Sequence, residues 1–81
     1  MKITIYSTPT CVWCKKAKVF LTAHNIPYEE KDVAADAAAR EEMIHKSGQL
    51  GVPVIEIDDQ IMVGFDEKML RQLTGIPSTN N

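Results

Sequence analysis

Two cysteines, Cys11 and Cys14, separated only by Val12 and Trp13, are the feature that most constrains this chain. They are its only cysteines, and they stand between a short apolar run and an amphipathic one. A disulfide stabilises a fold most when it closes a long loop, and this pair would close almost none. Two thiols at this spacing are typical of a redox site, so the pair indicates chemistry and not a structural bridge.

Length and composition allow one small domain. The 81 residues are 44% hydrophobic and 25% charged, which is enough for one modest core. We therefore expect a single domain over residues 1–81, with a frayed tail over residues 76–81. The net charge of −2 favours neither a nucleic-acid nor a membrane partner, because both require a concentrated basic surface.

The sequence shows neither the apolar core of a secretory leader nor a run of about 20 apolar residues that would span a bilayer. We expect a soluble, monomeric, cytoplasmic protein. In that reducing compartment a close cysteine pair is more often catalytic or metal-binding than structural.

In the first half of the chain, apolar residues first recur at every second position, as in a strand, and then about every 3.6 positions, as in a helix. Residues 2–7 alternate as a β-strand does and stop at the turn Thr8-Pro9-Thr10. Residues 11–24 follow a helical period, with Trp13 on the apolar side. A second strand is predicted over residues 28–33, and a helix over residues 36–47, with Asp36 as N-cap and Gly48 as its end.

The second half predicts a hairpin and a helix. Residues 54–57 and 61–63 flank the polar turn Asp58-Asp59-Gln60, which is typical of antiparallel strands. Asp66 then caps a helix that places Met69, Leu70 and Leu73 on one face. The predicted order is β-α-β-α-β-β-α, an α/β domain.

This order and three motifs closely resemble the glutaredoxin family over nearly the whole chain. The motifs are Thr8-Pro9-Thr10-Cys11-Val12-Trp13-Cys14, Gly51-Val52-Pro53 and Gly64-Phe65-Asp66. The resemblance extends to NrdH-type redoxins, which share the fold but take electrons from thioredoxin reductase. It implies a thioredoxin fold, in which a four-stranded mixed sheet is flanked by three helices.

The residues themselves assign different roles to the two thiols. Helical geometry places Cys11 at the exposed first turn beside Lys15, and Cys14 at the edge of the apolar face. The helix N-terminus and nearby lysines favour a thiolate, so the pKa of Cys11 is expected below the ordinary value of about 8.5. Cys11 then attacks a substrate disulfide, and Cys14 or an external thiol resolves the mixed disulfide.

The resemblance implies a substrate site around this pair. Val52 and Pro53 match the segment that carries a cis-proline and binds the thiol peptide by its backbone. Gly64, Phe65 and Asp66 match the loop and helix start that hold the γ-glutamyl end of glutathione. Lys16 matches a basic residue of the family. Trp13 either forms an aromatic wall for substrate or packs, and Asp66 is explained equally well as an N-cap.

The electron donor stays open between glutathione and thioredoxin reductase. Glutathione-using members commonly have Pro-Tyr between the cysteines and Thr before Val-Pro, whereas this chain has Val12-Trp13 and Gly51. The Trp-Ser-Gly-Phe-Arg-Pro run of NrdH-type redoxins is also missing. We expect disulfide-containing protein substrates, glutathione as co-substrate and no tightly bound cofactor.

Two metal-binding interpretations of the cysteine pair are alternatives to this prediction. A zinc site would have to recruit His24 and His45 from different helices. The resemblance implies the other alternative, since some glutaredoxins bridge an iron–sulfur cluster between two chains with glutathione and the cysteine that matches Cys11.

Overall fold

The computed structural model describes residues 1–76. Within them the chain forms one four-stranded sheet and three helices: β1 (Ile3–Ser7), α1 (Val12–Ala23), β2 (Glu29–Asp32), α2 (Ala37–Ser47), β3 (Val54–Ile57), β4 (Gln60–Val63) and α3 (Glu67–Thr74). The strand order is β2-β1-β3-β4. β1 runs parallel to β2 and antiparallel to β3, and β3 and β4 form an antiparallel hairpin. The predicted mixed sheet and element order are confirmed.

The sheet separates two apolar cores. Alternation along β1 points Ile3 and Ile5 to one face and Tyr6 to the other. The first face packs against α1 and α3 through residues that include Ala17, Leu21, Ile55 and Leu70. The second packs against α2 through Val33, Ala39, Met43 and Val54. α1 and α3 therefore lie on one side of the sheet and α2 lies on the other.

The helices α2 and α3 begin at their predicted N-caps and end at glycines. Asp36 and Asp66 each have extended backbone, and their side chains accept the backbone N–H of Ala39 and Met69. Gly48 ends α2 with φ of +74° and Gly75 ends α3 with φ of +78°. A side chain is disfavoured at such left-handed positions, so glycine is suited to both ends.

Several predicted bounds and faces were wrong. β2 covers Glu29–Asp32 and not residues 28–33, and Gln60 pairs within β4 instead of completing the turn. Met69 is 41% exposed, because the short helix α3 buries a narrow stripe that continues from Leu70 to Thr74. The Thr74 hydroxyl is satisfied by donating to the Leu70 carbonyl at 2.6 Å, which allows a polar residue to be buried there.

The predicted single domain and frayed tail extend beyond the described part of the chain. Residues 77–81 lie outside it. Ile76, the first residue of the predicted tail, donates its backbone N–H to the Arg71 carbonyl at 2.9 Å and packs against the first core. Within residues 1–76, no helix has the length and apolar content needed to cross a membrane.

A chain of ion pairs joins α2 to the sheet. Lys31 pairs with Glu42 at 2.9 Å, and Lys46 pairs with Glu42 at 3.2 Å and with Glu56 at 2.9 Å. The hydrogen bond from Lys31 holds the pKa of Glu42 below its ordinary value. Burial raises the pKa of Tyr6 beneath this network. The nearby Lys46 ammonium acts in the opposite direction and lowers the pKa of Tyr6. Its position does not allow a hydrogen bond to the Tyr6 hydroxyl.

On the other side of the sheet, Glu30 joins α1 to the first two strands. Its carboxylate accepts from the Lys18 ammonium and from the Ser7 hydroxyl, both at 2.7 Å. The hydrogen bond from Lys18, followed by that from Ser7, lowers the pKa of Glu30. The stabilisation from this interaction is therefore fully present when the pH is above the ordinary pKa of a glutamate carboxyl. It is lost as the pH falls through the lowered pKa of Glu30 in the folded protein.

Glu30→Gln is accordingly expected to destabilise the protein near neutral pH. The Glu30 side chain is 38% exposed, so solvent screening limits the loss in unfolding free energy to about 0.5–1 kcal/mol. Urea unfolding at pH 7 and at pH 3 measures it, and the difference from wild type is expected to shrink at the lower pH. Glu29→Gln is the matched control, because Glu29 makes no ion pair within residues 1–76. Equal losses for the two variants would contradict this assignment.

Candidate redox site

The two cysteines occupy different positions in the first turn of α1. Cys11 is the N-cap, with extended backbone, and its sulfur accepts the Cys14 backbone N–H at 3.1 Å. Cys14 is fully buried, whereas Cys11 is partly exposed. The two are disulfide-bonded, with Cα atoms 5.2 Å apart. Within this oxidised pair, the sulfur that a second molecule can reach is that of Cys11.

The local sequence accounts for this arrangement. β1 ends at Ser7, and the turn that follows is closed by the Cys11 N–H bonding to the Thr8 carbonyl at 3.3 Å. α1 then starts at Val12, one residue later than its predicted start. Cys14, Ala17 and Leu21 are three and four residues apart and form one buried stripe of α1, and Ala17 and Leu21 belong to the first core. Cys11 precedes that stripe and stays at its edge.

A small cavity adjoins Trp13, which lies between the cysteines in the sequence. Its volume is about 230 Å³, and its lining residues are Trp13, Val52, Pro53, Gly64 and Phe65. The Val52–Pro53 peptide bond is cis, the isomer that the resemblance implies. The Gly64 N–H donates to the Pro53 carbonyl at 2.7 Å and so joins the two segments that form the cavity wall.

The structure thus brings together five of the predicted substrate residues. Trp13 is 54% exposed and belongs to neither core, so its ring is buried only in part. Its ring lies under the Lys16 ammonium, which is 4.4 Å from the ring centroid. Lys16 and Asp66 do not line the cavity. Asp66 caps α3 by accepting the Met69 N–H at 3.2 Å.

The charged side chains of α1, the helix that carries the dithiol, are all positive. α1 carries Lys15, Lys16 and Lys18 and has no acidic residue, although the chain as a whole has a net charge of −2. Lys18 is paired with Glu30, whereas Lys15 has no ion pair within residues 1–76. This positive charge and the helix dipole both favour an anionic sulfur at the N-cap.

Sequence reasoning missed one positioning residue, Gln49. Its side chain accepts the Gly51 N–H at 2.6 Å and donates to the Gly51 carbonyl at 3.0 Å. These bonds hold the loop that leads into Val52 and Pro53. A Cβ on Gly51 would lie 2.7 Å from the Gln49 side-chain oxygen, so a larger residue at position 51 would displace the Gln49 side chain from these bonds. The loop folds back on itself here, and no periodic pattern signals such a contact.

The zinc reading finds no support in the described residues. No three side chains of histidine, cysteine, aspartate or glutamate come together within residues 1–76 in a way that could hold a metal. His24 caps the end of α1 and packs its ring on Phe20, with ring centroids 4.5 Å apart. His45 lies on α2, on the opposite side of the sheet.

Comparison with known proteins places this geometry in context. The sequence profile of the family described as Glutaredoxin matches residues 3–62. An uncharacterised glutaredoxin-like 8.6 kDa protein encoded in a rubredoxin operon of Clostridium pasteurianum is 52% identical over 71 residues, which cover 88% of this chain and 95% of that one.

Solved structures give the same result for the fold. The T8A mutant of the thioredoxin-like protein BC3987 superposes with a TM-score of 0.89 at 38% identity and covers 94% of this chain and 97% of its own. The glutaredoxin-like NrdH-redoxin from Escherichia coli, whose activity profile is described as thioredoxin-like, has a TM-score of 0.79 at 29% identity and covers 90% of this chain and 95% of its own. The fold is that of thioredoxin.

We expect the Cys11 thiol of the reduced protein to titrate below the ordinary thiol pKa of about 8.5, because the helix N-terminus and Lys15 stabilise its thiolate. The absorbance of the thiolate near 240 nm, followed against pH in Cys14→Ser so that one thiol remains, measures this. Lys15→Gln is expected to raise the value, and Arg40→Gln, on the opposite side of the sheet, to leave it unchanged. A pKa at or above 8.5 would contradict the assignment.

Proposed function

Because the chain belongs to the glutaredoxin family, we propose that it is a dithiol thiol–disulfide oxidoreductase that reduces protein disulfides and glutathione mixed disulfides. The observation that carries this proposal is the asymmetry of the pair. Cys11 is accessible at a helix N-cap, and Cys14 is buried three residues later and bonded to it. One sulfur is placed to attack and the other to resolve.

The reaction transfers two electrons from the dithiol. The Cys11 thiolate attacks one sulfur of the substrate disulfide, a new S–S bond forms, and the other substrate sulfur leaves as a thiolate that takes a proton. Cys14, after losing its proton, attacks the Cys11 sulfur and releases the second substrate thiol. The substrate gains two electrons and two protons, and the Cys11–Cys14 disulfide remains.

The cavity beside Trp13 is the proposed position of the substrate's thiol end. Val52 precedes a buried Pro53 and has backbone available for strand-like pairing with a bound peptide. Phe65 and Trp13 supply apolar walls on either side. The electrons are held by the two sulfurs alone, so the proposed enzyme needs no tightly bound cofactor. We assign it to the cytoplasm, because a reducing compartment keeps the dithiol ready to react. We also propose that it acts as a monomer.

We propose glutathione as the reductant of the disulfide, with the N-terminus of α3 as the binding site of its γ-glutamyl carboxylate. Lys16 lies on the Trp13 ring at the edge of the cavity and offers a second positive charge. A different donor, thioredoxin reductase, is favoured by the likeness to the NrdH-redoxin of Escherichia coli.

NADPH-coupled assays distinguish the two donors. Reduction of a disulfide is followed with glutathione plus glutathione reductase and, separately, with thioredoxin reductase alone. Turnover with glutathione is expected, and turnover only with thioredoxin reductase would replace the proposed donor. Absence of turnover with both would overturn the proposed function.

Cys11→Ser is expected to lower either activity at least about 100-fold, because the attacking sulfur is lost. Cys14→Ser is the matched variant. It is expected to keep reduction of glutathione mixed disulfides, which a second glutathione resolves, and to lose reduction of protein disulfides. Full activity of Cys11→Ser would contradict the assignment of the nucleophile.

Two variants of Asp66 separate its roles as cap and as ligand. Asp66→Asn keeps a good N-cap, so its unfolding free energy is expected to stay within about 0.5 kcal/mol of wild type, whereas Asp66→Ala should lose about 1 kcal/mol. If the carboxylate binds the ammonium of glutathione, Asp66→Asn raises the KM for glutathione several-fold. An unchanged KM in Asp66→Asn would assign Asp66 to capping alone.

A further inference from the structure

A groove separate from the cavity beside Trp13 runs along the outer side of α1 and faces the start of α3. It encloses about 440 Å³, and its lining includes Val12, Val19, Phe20, Phe65 and Glu67. Val12 is 62% exposed and Val19 is 66% exposed. We call this surface the α1 groove. Its exposed valines contribute nothing to either core.

The α1 groove is continuous with the redox site. Val12 follows Cys11 directly, and Phe65 lines both the groove and the cavity beside Trp13. Val19 lies eight residues beyond Cys11, which is about 12 Å along a helix axis. An extended peptide covers that distance with about four residues. A segment that flanks a bound disulfide would therefore reach Val19 without a change in the protein.

The charge along the α1 groove is also one-sided. Lys15 and Lys16 line it, and Lys15 has no ion pair within residues 1–76. The acidic residue on its far side, Glu67, is already neutralised by Arg71, which donates to it at 2.9 and 3.0 Å. The surface that remains is apolar with a positive edge, and it complements an apolar, acidic segment.

We propose that the α1 groove binds an acidic, apolar segment adjoining the disulfide of a protein substrate. This inference rests on the proposed function and names the substrate class of the same site. Apolar side chains of the segment pack against Val12 and Val19, and its carboxylates lie near Lys15 and Lys16. The groove thereby selects among protein disulfides, while small disulfides need only the cavity and Cys11.

Synthetic peptides test the proposal directly. Three peptides carry the same internal disulfide and differ in a four-residue flank, which alternates glutamate with leucine, lysine with leucine, or glutamate with serine. We expect kcat/KM to be at least about 10-fold higher for the glutamate–leucine peptide than for either other peptide. That preference should weaken between about 0.05 M and 0.5 M salt, because added ions screen exposed charges. Equal rates for the three peptides would overturn the proposal.

Val19→Asp tests the groove itself, since it places a charge on an exposed residue that is remote from the reacting sulfurs. It is expected to lower kcat/KM for the glutamate–leucine peptide at least about five-fold, mainly through KM, and to leave reduction of hydroxyethyl disulfide unchanged. Ala38→Asp is the matched control, because it adds the same charge at an exposed position of α2 on the other side of the sheet. An unchanged rate in Val19→Asp, or an equal loss in Ala38→Asp, would overturn the proposal.

Hydroxyethyl disulfide also separates the two levels of inference. If the wild-type protein reduces it with either donor but does not discriminate among the peptides, the α1 groove proposal fails and the proposed function stands. If the wild-type protein reduces neither hydroxyethyl disulfide nor any peptide, the proposed function itself fails.

Discussion

The rest of the site depends on the bond between the Cys14 N–H and the Cys11 sulfur. The N-cap of a helix is where a side chain can satisfy a backbone N–H two or three residues ahead. Cys11 uses its sulfur for this, at 3.1 Å. The bond fixes the start of α1 between the two cysteines, so that Cys14 is buried and Cys11 stays partly exposed. The same hydrogen bond therefore determines where α1 begins and which of the two cysteines is exposed.

The two sides of the sheet use charge differently. On the side of α2, Lys31, Glu42, Lys46 and Glu56 pair with one another, so their charges largely cancel. Of the three lysines of α1, only Lys18 has an acidic partner within residues 1–76, and the positive charge of the helix remains directed to solvent. Electrostatic steering requires such an uncompensated field close to the site of reaction. The protein is acidic overall and still presents a basic face beside its dithiol.

The sequence was sufficient to predict the order of elements and the position of the redox pair. Asp36, Gly48 and Asp66 marked helix ends because capping is a local interaction between residues close in the chain. The Lys18–Glu30 pair was not predicted, since it depends on how α1 lies across β2. The exposure of Trp13 was left open, because the helical period gives a direction around the axis but does not say whether another element covers it.

The resemblance supplied what local rules did not. The cis bond before Pro53 and the convergence of Val52, Gly64 and Phe65 join segments far apart in sequence, and no spacing rule brings them together. Lys16 and Asp66 were expected in the same place, and they occupy its edge and a helix cap. The family pattern thus grouped the residues that line this cavity, and the binding roles of Lys16 and Asp66 stay predictions.

The contact between Gln49 and Gly51 links the effects of substitutions at these two positions. Any side chain at position 51 would meet the Gln49 oxygen at 2.7 Å and displace it from the Gly51 N–H. Because this oxygen is the end of a flexible side chain, it can turn away, and the change removes the two hydrogen bonds that Gln49 makes to Gly51. With glycine at position 51, residue 49 holds the loop, whereas with threonine there residue 49 would lose that role. Sequence variation at position 49 is therefore expected to depend on the residue at position 51.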